Sequence, residues 1–397
     1  MKVPFSRVVC DERERQLVSE VMSSGWLTTG KVTLEFERRF GEAVGASFAC
    51  AVNSCTSALH LALEAVGIGP GDEVLVPTWT FTATAEVVRY LGAEVRPLDV
   101  DRETALLTPE IVRRAITRYP RARAIIVVHF AGRPAQMVSE DAGILDICRS
   151  AGIRVVEDAA HAFPAGIGPR PVGSMADVTC FSFYANKTIT TGEGGMVTTN
   201  DEAIHRRCAL MRLHGIDRDV WARFTSPRAG WEYDVVAPGF KYNMPDLNAA
   251  IGLAQLERAE ELRQHRQRCA ERYLERLGDC QGLLLPSLPP AGVLHAWHLF
   301  SIEAEGASEA ERGELIQRLA DAGIGTSVHY KPIHRLKYYR ERYSLRSEDF
   351  PNAEVRWKQC ISLPLHSWLS EQEVDYVSAM LRESLASRTR KRTAAPT

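Results

Sequence analysis

Residues 180–197 read CFSFYANKTITTGEGGMV, an aromatic, strand-like run that passes through a single lysine, Lys187, into a glycine cluster. Only eight of the chain's 48 basic residues are lysine, so arginine stands at most positions that need a cation. A desolvated lysine can form an imine or lose a proton near neutral pH, whereas arginine can do neither. From this stretch alone, Lys187 is interpreted equally well as a reactive group or as a surface lysine in a turn.

The sequence around this stretch alternates between short apolar runs and amphipathic segments. Strands are predicted at 48–52, 73–76, 93–100, 122–130, 153–158, 178–184 and 194–200. Helices are predicted at 11–23, 31–44, 56–66, 80–91, 109–118 and 139–151. This alternation predicts an α/β fold, a mostly parallel sheet sandwiched by helices. In such sheets ligands bind at the carboxyl ends of the strands.

The pattern changes after a long, charged helical region at about 246–277. Past the proline-rich bend PSLPPAG, the sequence predicts a strand at 296–304, a helix at 308–323, a strand at 324–330 and a closing helix at 370–386. We therefore expect a large domain at 1–255, which includes an N-terminal helical segment, and a smaller α+β domain at 256–397.

Composition excludes several classes of protein. A net charge of −2 and a pI near 6.6 do not indicate a nucleic-acid binder or a membrane-surface binder. The N-terminus lacks the apolar core of a signal peptide, and no apolar run is long enough to span a bilayer. The nine cysteines are scattered, and no His/Cys/Glu spacing resembles a zinc site. We expect a cytoplasmic protein with reduced thiols and no metal.

Polar residues follow two of the predicted strands. Asp158 closes the run IRVVED, where its carboxylate could face a ligand or could cap a helix, since aspartate is a preferred capping residue. Ser54, Thr56 and Ser57 lie between a strand and the first turn of a helix, where N–H groups and hydroxyls suit a phosphate. Ordinary capping would explain these hydroxyls as well, and without other evidence it is the favoured interpretation.

Two further residues complete a set that one cofactor requires. Ser182 adds a hydroxyl on the strand before Lys187, and Trp79 follows the apolar run VLVP, where its ring could stack on a planar ligand or simply pack in the core. Pyridoxal phosphate needs a lysine for its Schiff base, an acid for its pyridine nitrogen and an anion cup for its phosphate. The ordered set of residues indicates this cofactor, although no single residue does.

Two other classes of enzyme fit the sequence poorly. The glycine groups GIGPG (67–71) and TGEGG (191–195) do not spell the G-x-G-x-x-G fingerprint of a dinucleotide-binding fold, and turns explain them better. There is also no G-x-S-x-G nucleophile elbow, which argues against a hydrolase.

Across nearly its whole length, from GWLTTG (25–30) to SLPLHSWLSEQEV (362–374), the sequence resembles the DegT/StrS family of pyridoxal-phosphate-dependent sugar-nucleotide aminotransferases. The matching motifs are NSCTSALHLAL, GDEVLVPTWTFTAT, EDAAHA, FSFYANKTITTGEGGMVTTND, MRLHG and GFKYNMPDLNAAIGLAQLE. The resemblance implies fold type I of the pyridoxal phosphate transferases and a homodimer. One departure is Cys55, which stands where the family usually has glycine before the phosphate helix.

The resemblance also implies a role for each matching residue. Lys187 would form the Schiff base, Asp158 would bind the pyridine nitrogen, and His161 would lie beside the ring near its phenolic oxygen. Trp79 would stack on the ring. The remaining implied roles are phosphate binding by Ser54, Thr56, Ser57 and Ser182, binding of the other subunit's phosphate by Asn243, and substrate binding by His329, Tyr330 and Lys331.

The resemblance leaves the reaction partly open. It implies transfer of an amino group from glutamate to an NDP-keto-deoxysugar, and the stretch FYANKTITTGEGG looks most like members that act at C4 of a 4-keto-6-deoxyhexose. Amination at C3, a cyclitol substrate and sugar dehydration are the alternatives; relatives that dehydrate carry histidine in place of Lys187. A non-catalytic ligand sensor would be expected to lack Lys187 or Asp158. The arginine-rich composition is compatible with an antibiotic-sugar or surface-glycan pathway.

Overall fold

The computed structural model describes residues 1–217 and 233–394. Along them the helices are α1 (Glu12–Ser24), α2 (Lys31–Val44), α3 (Cys55–Ala65), α4 (Ala83–Tyr90), α5 (Pro109–Arg118), α6 (Ile144–Ser150), α7 (Glu202–Met211), α8 (Asp246–Glu257), α9 (Ala259–Leu277), α10 (Glu309–Asp321), α11 (Lys337–Tyr343), α12 (Pro351–Gln359) and α13 (Glu371–Ala394). The strands are β1 (Phe48–Val52), β2 (Glu73–Pro77), β3 (Glu94–Leu98), β4 (Ala122–Val128), β5 (Arg154–Asp158), β6 (Gly166–Ile167), β7 (Arg170–Pro171), β8 (Val178–Ser182), β9 (Gly195–Thr199), β10 (Leu283–Leu284), β11 (Val293–Leu294), β12 (Phe300–Ala304) and β13 (Cys360–Leu363).

A seven-stranded sheet forms the centre of the larger part of the chain, in the order β1-β9-β8-β5-β4-β2-β3. Strands β3, β2, β4, β5 and β8 pair in parallel, whereas β9 runs antiparallel to both of its neighbours. The predicted mostly parallel sheet is therefore confirmed, and β9 is its reversed strand.

Helices cover both faces of this sheet because successive side chains of a buried strand point to opposite sides. In β2, Val74 and Val76 join a buried cluster with residues of α3, α4 and α7, while Leu75 between them joins a second cluster with residues of α5 and α6. Both faces are apolar, which is typical of parallel strands buried between two helical layers.

The parallel arrangement sets the position of the site. Strands β5 and β8 are neighbours in register, with Asp158 opposite Cys180, so both strands end at the same edge of the sheet. Helix α3 begins at Cys55 after β1, and its N-cap is Ser54. The end of β5, the loop after β8 and the start of α3 therefore lie together at one edge.

The C-terminal part has its own core, built on the three-stranded sheet β10-β12-β13 and on helices α9, α10 and α13. The α+β pattern expected there is therefore present. The predicted domain boundary near residue 255 stays a prediction; the long helical region is interrupted at Arg258, between α8 and α9.

The first residues of the chain pack against this C-terminal part. Val3 is fully buried in its core and exchanges backbone hydrogen bonds with Gly323 and Gly325, at 2.9 and 2.8 Å. Two residues further on, the ring of Phe5 stacks on the imidazole of His329, with 5.5 Å between the ring centroids. The amino end thus reaches from the C-terminal core to a residue predicted to bind substrate.

Two predicted elements differ from the structure. The predicted helix at 139–151 is shorter, Ile144–Ser150, because the backbone is extended at Gly143, its N-cap. The predicted strand at 324–330 is not a strand; apart from isolated bridges, such as Ser327 with Ser362, this segment is irregular. None of the helices within the two described ranges combines the length and apolarity that crossing a bilayer requires.

Candidate active site

A cavity of about 380 Å³ opens at the edge where the parallel strands end. This volume lies within the range of ligand pockets, roughly 300 to 1,000 Å³. The predicted site residues that line it are Ser54, Thr56, Asp158, His161, Ser182, Lys187, His329 and Tyr330. Four predicted residues do not line it: Ser57, Trp79, Asn243 and Lys331.

Lys187 lies in the loop between β8 and β9, in a turn where its N–H donates to the carbonyl oxygen of Tyr184 at 2.9 Å. Its amine, Nζ, is 3.5 Å from Nε2 of His298. Burial lowers the pKa of Lys187 to about 8, although Cys55 and Asp158 act in the opposite direction. About a tenth of the amine is therefore neutral at pH 7, far more than in a surface lysine.

Asp158 ends β5 and is only 6% exposed. One carboxylate oxygen accepts a hydrogen bond from the hydroxyl of Thr84 at 2.8 Å, and the other accepts from the backbone N–H of Ala160 at 3.2 Å. Burial raises the pKa of Asp158, and these two hydrogen bonds counteract the rise. Within the described ranges no cationic side chain forms a salt bridge with this carboxylate, so a protonated ligand nitrogen would supply a partner that the buried acid lacks.

His161 follows Asp158 by three residues and is held as a neutral ring. Its Nδ1 accepts a hydrogen bond from the backbone N–H of Ala131 at 3.3 Å, so the proton must lie on Nε2. That nitrogen is 2.8 Å from the hydroxyl oxygen of Tyr330, to which it donates. Burial, together with the charge of Lys187, holds the pKa of His161 well below its usual value. The ring can therefore lie against a cofactor without adding charge.

The start of α3 forms one end of the cavity. The hydroxyl of Ser54 caps the helix by accepting from the N–H of Ser57 at 3.1 Å. Among the described residues nothing accepts from the N–H groups of Cys55 and Thr56, so these donors remain available for an anion. Gly195 lies directly beneath, where an added Cβ would stand 2.5 Å from the carbonyl of Ser54. A glycine is therefore required for the close approach of this loop.

The expected phosphate contact of Ser57 stays a prediction, and Ser57 does not line the cavity. Its side chain is buried, and its hydroxyl donates to the amide oxygen of Asn53 at 2.6 Å. The spacing that makes Ser57 the third residue of the helix turns its side chain back along the capping turn rather than into the cavity. Ser182, by contrast, lines the cavity, and its oxygen accepts from the N–H of Tyr184 at 3.3 Å.

Stacking of Trp79 on the cofactor ring also stays a prediction, and its side chain does not line the cavity. Its side chain is fully buried among apolar residues, edge-on to Phe130 at 6.2 Å and beneath the guanidinium of Arg356 at 5.6 Å. The aromatic side chain that lines the cavity is Phe81, which is 56% exposed. These contacts favour core packing, the alternative that the sequence left open for Trp79.

Asn243 does not line the cavity of its own chain, although its backbone pairs with Val52 at the end of β1. Its amide nitrogen donates to the hydroxyl of Thr29 at 2.7 Å, and both residues line a separate depression. The ammonium of Lys241 donates to the amide oxygen of Asn243 at 2.5 Å. Contact of Asn243 with the phosphate of a second subunit stays a prediction, and its absence from the lining of its own cavity is compatible with that role.

Two of the three residues expected to bind substrate line the cavity, and the third does not. His329 and Tyr330 line the cavity, and Nδ1 of His329 is 2.9 Å from the hydroxyl of Ser362. Burial lowers the pKa of His329 to about 4, and the neighbouring Lys187 charge adds to this. Lys331 is exposed and does not line the cavity, so only its position next to Tyr330 supports a role in binding substrate.

Sequence reasoning missed Phe81, Thr84 and His298. Phe81 and Thr84 lie inside the quoted motif GDEVLVPTWTFTAT, so the signal was present but was assigned to Trp79. His298 lies 111 residues from Lys187 in the run AWHLF, which was interpreted only as a strand. No local pattern in the sequence could have joined it to the lysine.

The residues present fit the cofactor that the resemblance implies. A lysine with a lowered pKa, a buried carboxylate without a cationic partner and a helix start with available N–H groups surround one cavity. Within the described residues, no group of three His, Cys, Asp or Glu side chains could hold a metal ion.

Comparison with known proteins identifies the family. Residues 9–382 match the model of the DegT/DnrJ/EryC1/StrS aminotransferase family. The chain is 41% identical over 383 residues to the spore coat polysaccharide biosynthesis protein SpsC of Bacillus subtilis, and the match covers 96% of each chain.

Solved structures agree with this assignment. A candidate sugar aminotransferase of Streptococcus pneumoniae, Spr1654, superposes in its PMP form with a TM-score of 0.89 at 33% identity, covering 97% of this chain and 100% of that one. Its PLP form gives 0.88 at 32% identity, with 98% and 99% covered. PseC of Helicobacter pylori, an aminotransferase of pseudoaminic acid biosynthesis, gives 0.88 at 27% identity, with 98% and 100% covered. The chain therefore belongs to the DegT/DnrJ/EryC1/StrS aminotransferase family.

Proposed function

We propose that this protein transfers an amino group from glutamate to a nucleotide-linked keto-deoxysugar, with C4 of an NDP-4-keto-6-deoxyhexose as the acceptor carbon. The observation that carries the proposal is the cavity in which Lys187, with its pKa near 8, lies together with the buried Asp158. The names of SpsC, Spr1654 and PseC refer to a polysaccharide, a sugar and pseudoaminic acid, respectively, which supports a sugar acceptor.

The cofactor is pyridoxal phosphate, as the PLP form of Spr1654 and the aminotransferase family indicate. When bound, it supplies an electron sink for the carbon that gains or loses nitrogen. Asp158 would hold the ring nitrogen protonated, because a buried carboxylate without a cation favours a positive partner. The hydroxyl of Thr84 fixes one oxygen of that carboxylate in place, at 2.8 Å.

Lys187 would anchor the cofactor and then act as the base. Its lowered pKa leaves part of the amine neutral at physiological pH, and the neutral amine can take a proton from the substrate carbon and return it at the neighbouring position. The presence of lysine at this position supports transfer of nitrogen rather than dehydration, for which the family uses histidine.

The phosphate would lie at the start of α3. The available N–H groups of Cys55 and Thr56, the hydroxyls of Ser54, Thr56 and Ser182 and the positive helix end together suit a dianion. Phe81 would take the stacking position on the ring, and His161 would lie against it as a neutral imidazole.

The substrate would enter past His329 and Tyr330, with Lys331 near its diphosphate. We also propose a cytoplasmic homodimer in which Asn243 of one subunit completes the phosphate site of the other. Isologous two-fold dimers place the same residue at both shared sites, which suits this arrangement. The absence of Asn243 from the lining of its own cavity is the supporting observation.

The substrate assignment is tested with a panel of NDP-3-keto and NDP-4-keto sugars and a cyclitol ketone, each supplied with ¹⁵N-glutamate. We expect mass spectrometry to find the label in a 4-amino sugar. A labelled 3-amino sugar would move the acceptor carbon, a labelled cyclitol would replace the sugar, and loss of water without label would mean a dehydratase.

Replacing Lys187 with alanine should abolish the visible absorbance band of the bound cofactor, because no other lysine of the described residues lines the cavity. The exposed Lys337 offers a matched control, and Lys337→Ala should keep the band. Borohydride reduction followed by peptide mapping should place the cofactor on Lys187 in the wild type. A band in Lys187→Ala that survives reduction and dialysis would show that another residue holds the cofactor.

Replacing Asp158 with asparagine should retain the cofactor but lower turnover by at least about 100-fold, the scale seen when one electrostatic group is removed from an active site. The control is Asp201→Asn at the N-cap of α7, where asparagine caps as well as aspartate. If Asp158 served only as a cap, both variants would turn over at the wild-type rate.

Mixing Lys187→Ala subunits with Asn243→Ala subunits tests the shared site. Each mixed dimer would keep one intact site, so random pairing should restore about one quarter of wild-type activity. The measurement is turnover before and after subunit exchange. Activity that never exceeds the average of the two parents would mean that Asn243 does not act across the interface.

A further inference from the structure

None of the roles described above explains a buried arginine that contacts the backbone next to Lys187. Arg266, on α9, is 2% exposed. Its guanidinium donates to the carbonyl oxygens of Leu365 at 2.9 Å, His298 at 3.3 Å and Asn186 at 3.4 Å, and to the hydroxyl of Ser367 at 3.3 Å. Every one of these acceptors is uncharged.

Among the described residues, four other arginines are buried; Arg312 lies over the ring of Trp357 at 4.7 Å, and the other three are neutralised by carboxylates. Arg212 pairs with Glu37, Arg263 with Glu260 and Arg356 with Glu303. Among the described residues, no carboxylate lies within salt-bridge distance of Arg266. Taking a guanidinium out of water without an anion costs much free energy, so a position that keeps one needs a reason beyond packing.

Two of the carbonyls that Arg266 holds belong to the site. Asn186 directly precedes Lys187, and His298 carries the imidazole that faces the amine of Lys187 at 3.5 Å. One side chain on α9 therefore fixes the backbone on both sides of this contact. Nδ1 of His298 is buried and finds no hydrogen-bond partner among the described residues, so nothing on the far side of the ring holds it.

We propose that Arg266 is a positioning residue for the lysine, a permanent buried cation that holds Lys187 against His298 and favours the neutral form of the Lys187 amine. Arginine stays protonated where a buried lysine can give up its proton. Two cations in one desolvated region repel each other, so the positive charge of Arg266 favours loss of a proton from Lys187.

The pKa shifts of Arg266, Lys187 and His298 are consistent with this proposal. Burial lowers the pKa of Arg266 to about 10, which still leaves it charged at neutral pH. Burial also lowers the pKa of Lys187, and the charge of Arg266 acts in the same direction. Burial and the charges of Lys187 and Arg266 keep His298 neutral, so it remains an acceptor for the amine.

Other ionisable groups face Lys187 and are common to every variant compared. These groups lie at the start of α3, at and just after the end of β5, in the loop of the lysine, just before β12 and in the irregular segment 324–330. In that order they are Cys55, Asp158, His161, Glu193, His298, His329 and Tyr330. Because only Arg266 is changed, a shift in the titration of Lys187 reports its charge.

The test is a pH titration of the visible absorbance of the holoenzyme, which follows protonation of the group that links Lys187 to the cofactor. We expect Arg266→Met and Arg266→Gln to raise the midpoint by about one pH unit, the lower end of the effect of one nearby charge. Glutamine can still donate to a carbonyl, so a shift in both variants separates charge from hydrogen bonding. Arg263→Met, on the same helix, should leave the midpoint unchanged because Arg263 is neutralised by Glu260.

A second measurement does not depend on turnover. Apoenzyme of Arg266→Met should capture added pyridoxal phosphate about tenfold more slowly at about pH 6.5, because a one-unit rise in pKa lowers the neutral amine fraction tenfold. At about pH 10 its rate should approach that of the wild type. Equal rates across the pH range, or an unshifted midpoint in both variants, would overturn the proposal.

The inference rests on the proposed role of Lys187, and the two can fail separately. A wild-type protein without a titrating cofactor band would remove the role of the lysine. A wild-type band whose midpoint is the same in Arg266→Met would remove only the role of the arginine. Loss of thermal stability without a shift in midpoint would likewise show that Arg266 is structural alone.

Discussion

The site depends on the burial of two oppositely charged groups in one cavity without a salt bridge between them. Burial pushes the pKa of Lys187 down and that of Asp158 up, so each is driven towards its neutral form. pKa shifts caused by burial in a cleft cluster at functional sites. A cofactor that bonds covalently to the amine and places a protonated nitrogen on the carboxylate offsets both penalties at once.

The histidines around Lys187 are also driven towards their neutral forms. His161, His298 and His329 all have lowered pKa values, chiefly because of burial, and the charge of Lys187 lowers each of them further. Neutral imidazoles can donate and accept hydrogen bonds without competing for the proton that catalysis must move. The three histidines thus provide hydrogen-bonding groups without adding charge around Lys187 and Asp158.

The sequence predicted most of the fold and the two central residues, for physical reasons. Alternation of apolar strands and amphipathic helices predicts a parallel sheet, and the position of Asp158 at a strand end predicts which edge it faces. The sequence singled out Trp79 and not Phe81, the ring that lines the cavity, because beyond the end of β2 at Pro77 no strand periodicity tells which ring turns to the cavity. The site also depends on contacts such as that of Arg266 with Asn186, 80 residues apart, and no local pattern encodes these.

The amino end of the chain has a practical consequence. Val3 is buried in the C-terminal core, and Phe5 stacks on His329, which lines the cavity. Phe5 thus packs against a side chain of the cavity wall, so a bulky extension of the amino end would be expected to disturb His329. An affinity tag for purification therefore belongs at the opposite terminus, and a small fluorophore near Phe5 would sense whether the cavity is filled.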